Sequence, residues 1–92
     1  MLISGQKTVT TAGTAERLST GKVANTSLVV KALPANIGNM FIGNVSGDVA
    51  SGNGMVLEPG DSIVFAMVKD LRELWVDSAV NGEGVAWIVL EV

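Results

Sequence analysis

The chain contains no histidine, no cysteine and no tyrosine, which removes most side-chain chemistry at once. A nucleophile would lack the usual imidazole base, and zinc would lack its usual nitrogen and sulfur ligands. Disulfides and thiolate chemistry are excluded as well. What remains is oxygen chemistry. Asp70, Glu73, Asp77 and Glu83 fall in the C-terminal third. Two of them facing each other across a cleft could act as an acid–base pair, against the simpler expectation of a solvated rim of strand ends and turns. Asp48, Asn53 or Asp77 could ligate calcium, a hard cation that takes oxygen donors, although their spacing matches no known calcium loop. Gly52-Asn53-Gly54 is followed by neither Lys-Ser/Thr nor a helix start, so it is not a phosphate loop. Trp75 and Trp87 could stack on sugars as a carbohydrate-binding module does. A tryptophan inside an apolar strand is expected instead to pack in a core or an interface. The expectation is a protein that is not an enzyme and uses no cofactor and no metal.

The elements that would position these residues are short strands. Residues 57–68, LEPGDSIVFAMV, contain a Pro59-Gly60 turn signal and then six unbroken apolar residues, Ile63 to Val68. Six suits a strand and is short for a helix. Such a strand is apolar on both faces, whereas a two-layer β domain dries only one. Val85 to Leu90, VAWIVL, is a second run of this kind, with Val85, Trp87 and Val89 on one face and Ala86, Ile88 and Leu90 on the other. Its predicted partner is the strand 74–80, joined through the Asn81-Gly82 hairpin signal. Ser27 to Leu33 alternates, with Leu28, Val30 and Ala32 on one side and Val29, Lys31 and Leu33 on the other. Residues 39–43 form a further strand. Residues 44–54 read as a loop in which Val45, Val49 and Ala50 allow a short strand, and 55–57 lead back to the opening run. Lys69 to Glu73 is a polar connector of at most one helical turn. Residues 1–24 form a Thr/Gly-rich arm or edge-strand region, with extended pieces at 7–11 and 14–18.

Turn signals every 8–12 residues, about eight short strands and no convincing helix predict an all-β chain. The expected fold is an antiparallel β-sandwich or a small jelly-roll-like barrel, forming a single domain over 1–92. Ninety-two residues bury a modest core, yet 48% of them are hydrophobic and the mean hydropathy is +0.45. Excess apolar surface on so small a chain predicts subunit contacts. The longest apolar runs fall far short of the ~20 residues of a spanning helix. Ser4-Gly5-Gln6-Lys7 follows Met1-Leu2-Ile3 too soon for a signal peptide. Six basic residues against nine acidic, scattered along the chain, and four aromatics argue against nucleic acid.

The order of motifs resembles that of a group of small tailed-phage virion structural proteins. The resemblance is carried by Thr11-Ala12-Gly13-Thr14-Ala15 with Leu18, by Val30-Lys31-Ala32 through Asn36-Ile37-Gly38-Asn39-Met40-Phe41-Ile42-Gly43, by Leu57-Glu58-Pro59-Gly60-Asp61-Ser62, and by Leu74-Trp75-Val76-Asp77-Ser78-Ala79 with Gly82-Glu83-Gly84-Val85. Phe41 and Trp75 stand where tyrosine is expected. The resemblance implies a β-sandwich assembled on a virion as head decoration (cement) or as part of a tail, baseplate or fibre base, and it transfers no catalytic residue. The expected protein is a capsid decoration protein on the outer surface of the virion. Its expected partners are further copies of itself, a trimer by preference, and the major capsid protein, with neither nucleic acid nor membrane. The expected interface residues are Val64, Phe65, Met67, Trp75, Trp87 and Ile88.

Overall fold

A computed structural model describes residues 3–20, 24–44, 47, 49 and 54–91. Eight strands are present: β1 (Ile3–Thr8), β2 (Glu16–Arg17), β3 (Ala24–Ala32), β4 (Met40–Gly43), β5 (Met55–Leu57), β6 (Ser62–Asp70), β7 (Trp75–Ser78) and β8 (Gly84–Glu91). They form two antiparallel four-stranded sheets, ordered β1-β8-β3-β6 and β2-β7-β4-β5. The chain is all-β and packs as a small sandwich, as its composition and turn spacing predict. The pairings are nested: β1 with β8, β2 with β7, β3 with β6, β4 with β5. A long hairpin folded over on itself gives this order, which is that of a jelly roll.

Alternation decides which side of each strand is buried. Leu28, Val30 and Ala32 of β3 join Val85, Trp87 and Val89 of β8 on the inner face of the first sheet. Met40 and Ile42 of β4, Leu57 of β5 and Val76 of β7 meet them from the second sheet. Val9, Leu18, Leu71 and Leu74 close the core between strands. Glycine makes room at one point: a Cβ on Gly5 of β1 would lie 3.0 Å from the Trp87 indole. The indole therefore lies against the β1 backbone.

The predicted hairpin of 74–80 with 85–91 does not form. β7 and β8 lie in different sheets. The Asn81-Gly82 turn is real, with Gly82 at φ +81°, but it carries the chain from one sheet to the other. Its hydrogen bonds go to the chain after β1: Gly82 N–H donates to the Val9 carbonyl at 2.8 Å, and Val9 N–H to the Glu83 carbonyl at 2.9 Å. The connector after β6 is one 3-10 turn, Leu71–Glu73, with the Asp70 side chain accepting from Arg72 N–H at its start. The short strand allowed around Val45 to Ala50 falls largely outside the described residues, although Val49 is buried.

β6 is irregular. Between Phe65, opposite Leu28, and Val68, opposite Thr26, it carries one residue more than β3. Met67 takes up the excess at φ 60°, a left-handed conformation uncommon for a side chain of this kind. Its N–H is received by Ser27 Oγ at 3.3 Å. The bulge shifts the phase of the strand, so Ile63, Phe65 and Val68 all pack against the core.

Candidate functional site

The outer face of the first sheet is apolar where three strands cross. Val29 lies between Ile88 of β8 and Val64 of β6 in the register. Val64 is 62% exposed, Leu90 50% and Ile88 36%, and no described residue covers them. The next row runs Gln6, Ala86, Lys31, Ser62. Between the rows is a shallow depression of about 250 Å³ lined by Val29, Lys31, Ala86, Trp87 and Ile88. The two runs that are apolar on both faces thus send one face to the core and leave the other bare.

The six expected interface residues do not share a surface. Val64 and Ile88 lie on the bare face, and Met67 projects from the bulge at 78% exposure. Phe65 and Trp87 belong to the core side instead, Trp87 at 9% exposure. Their side chains pack on the inner side of the first sheet, because the strand phase turns them inward. The Trp87 indole Nε1 is buried without a hydrogen-bond partner among the described residues. Trp75 lies on the second sheet, half-buried, with the Arg17 guanidinium 4.6 Å from its ring centroid. That cation covers one face of the ring.

The carboxylates are spread over separate tasks. Asp70 forms a two-pronged ion pair with Arg72, Oδ2 to Nη2 being 2.8 Å, and this raises the Arg72 pKa. Asp77 is buried and accepts from the Gly13 and Ser78 amides at 3.1 and 2.8 Å. Glu83 accepts from the Ile37 and Gly38 amides at 2.5 and 2.9 Å. Glu73 lines an open polar cleft of about 520 Å³ with Arg17, Thr20, Asp70 and Arg72. Glu16 joins Lys7 at 2.8 Å and the Thr10 amide at 2.8 Å. The lysine first and the amide second hold its pKa below the ordinary value. Asp48 and Asn53 lie outside the described residues, among which no three His, Cys, Asp or Glu side chains gather to hold a metal. Among the same residues no helix is long and apolar enough to cross a membrane.

One end of the sandwich is knitted together by residues that the strand pattern does not single out. The Asn36 side chain is buried and donates to the Gly84 carbonyl at 2.8 Å. Asn81 Oδ1 receives the Ala12 amide at 2.7 Å. With the Asp77 and Glu83 contacts, these bonds join the loops after β1, β3 and β7. Gly38 and Gly84 are required there. A Cβ on Gly38 would come 2.9 Å from the Val80 side chain, and one on Gly84 would overlap the Lys7 carbonyl. The result is a fixed loop whose tip, Ile37, is 86% exposed beside Val80 at 38%. A lone isoleucine between Asn36 and Gly38 in a turn was the available sequence signal for this surface. Comparison of the chain with protein-family models, with curated proteins and with solved structures returned no match.

Proposed function

We propose that the protein is a bacteriophage virion structural protein, a decoration protein that binds major capsid subunits on the outer surface of the head and steadies the shell. The observation that carries this proposal is the bare apolar face of the first sheet, formed by Val64, Val29 and Ile88 in one register row with Leu90 beside it. Exposed apolar surface in one continuous patch is the mark of a protein contact. A cement protein needs contact area and shape complementarity, not reactive groups. The motif residues that resemble small tailed-phage proteins support the same proposal, because Asn36, Gly38, Asp77, Glu83 and Gly84 build the knitted end and so carry a structural task in common. A jelly roll by itself hosts many functions and selects none of them.

The test is cosedimentation of the purified protein with shells of the major capsid protein encoded in the same phage genome, from which the protein has been left out. Saturable binding and a raised melting temperature of the shells are expected. Failure to bind such shells refutes decoration, and binding to isolated tails instead reassigns the protein to that part of the virion.

A further inference from the structure

We infer that copies of this chain join by a knob-in-hole contact, Ile37 of one copy entering the depression between Val29, Ala86 and Ile88 of the next. This deepens the proposal of a virion protein by naming how its copies assemble, and it is tested without any capsid. Ile37 is the most exposed of the described large apolar side chains, yet its loop is among the most firmly held. Asn36 is tied to Gly84, and the Ile37 and Gly38 amides are both tied to Glu83. The backbone that carries Ile37 is already fixed by these hydrogen bonds, so binding has less loop freedom left to remove. The depression is apolar apart from Lys31 and holds about 250 Å³. As an open depression it offers an isoleucine side chain the apolar surfaces of Val29, Ala86 and Ile88 to lie against.

Charge favours the same pairing. The knob carries the Glu83 carboxylate against its own amide. The hole carries Lys31, which makes no ion pair with another described residue. Docking therefore brings an acid at the knob towards a base at the rim of the hole, which steers the encounter and disfavours the reversed one. The knob cannot fill its own hole, because Ile37 stands exposed beyond the end of β3 while the depression lies on the sheet face. Val80 next to the knob extends the contact, while Val64 and Leu90, which lie outside the depression, stay exposed for the shell. A contact between two different patches is heterologous, and repetition closes it into a ring when the rotation permits.

Sedimentation velocity and native mass spectrometry of the isolated protein test this. The wild type is expected to form a discrete oligomer. Ile37→Asp, at the knob, and Ala86→Arg, in the hole, are each expected to weaken association by about thirtyfold or more, the level of a central interface residue. An equimolar mixture of the two variants is expected to form a 1:1 heterodimer, because one intact knob still meets one intact hole. Circular dichroism checks the fold of each variant. If Ala86→Arg does not fold, Lys31→Glu at the exposed rim replaces it and is expected to weaken assembly and to remove its salt dependence. A monomeric wild type overturns the inference, as does assembly of Ile37→Asp at wild-type strength or a mixture that stays monomeric. A monomer that still binds shells overturns this contact alone, whereas an oligomer that ignores shells overturns the decoration function alone.

Discussion

Replacing Glu83 with alanine tests the clamp that holds the Ile37 loop. The substitution removes a carboxylate that receives two successive amides, Ile37 at 2.5 Å and Gly38 at 2.9 Å. A hydrogen bond to a charged group contributes about 1.5–3 kcal/mol when shielded. The Ile37 amide is exposed, so water takes the place of the carboxylate and the loss there is small. The Gly38 amide is part-buried against Ala79 and Val80 and carries most of the effect. The sum is about 2 kcal/mol, which at about 4–8 °C per kcal/mol in a domain of this size lowers the melting temperature by roughly 8–16 °C. Glu83→Gln keeps one acceptor oxygen without the charge and should lose about half as much. Calorimetry gives the total, and hydrogen exchange should show protection lost at the Ile37 and Gly38 amides while Val9, bonded to the Glu83 carbonyl, keeps its own. A fall of less than about 4 °C for Glu83→Ala, or unchanged exchange at Gly38, refutes the clamp.

Neighbouring residues of β6 should respond in opposite ways. Val64→Thr on the bare face should alter stability by no more than about 0.5 kcal/mol, whereas Phe65→Thr, which removes a partly buried ring packed against the core, should cost about 2 kcal/mol in a denaturant titration. Gly84→Ala should cost about 3 kcal/mol, because the new methyl meets the β1 backbone, which cannot step aside as a side chain would. Glu16 should make part of the acid stability of the fold. Its folded-state pKa lies below the ordinary value of 4.5, so its contribution is complete above that pH and is lost as the pH falls through the folded value. Glu16→Gln should therefore flatten the fall in stability below about pH 4.5, and an acid titration as steep as that of the wild type contradicts the Lys7–Glu16–Thr10 arrangement.

Strand alternation made much of the fold legible. Leu28, Val30 and Ala32, and likewise Val85, Trp87 and Val89, face inward as their period-2 spacing requires. Two features of the strand layout were hidden, each for a physical reason. Asn-Gly specifies a backbone turn and nothing about which sheet the chain enters next. The flanks 74–80 and 85–90 are both apolar enough to belong to either sheet, so the local signal named a hairpin where the chain changes layers. The bulge at Met67 was hidden because a left-handed position normally announces itself with glycine, and here a methionine occupies it. Plain alternation puts Phe65 and Met67 on one side of β6, and the extra residue is what leaves Phe65 against the core and sends Met67 to water. The bare outer face, by contrast, was visible as two runs too apolar to be wetted on either side. The Ile37 surface leaves only a faint trace in the sequence, an isoleucine in a turn without periodicity, and it is the bonds of Asn36 and Glu83 that show it is held in place.

The nested order of the strands also sets the order in which the chain can organise itself. β4 and β5 are the innermost pair, and β1 meets β8 across nearly the whole chain, Ile3 opposite Val89. Closing that outermost loop from a free coil costs the most chain entropy. Each inner pairing brings the next pair of strands closer, so the least costly route closes from β4–β5 through β3–β6 outwards. On that route β1 settles against β8 last, with the short-range Lys7–Glu16 ion pair bridging the two edge strands at that side of the sandwich. A chain still on the ribosome can build the inner layers but cannot close this outermost pairing until β8 has emerged.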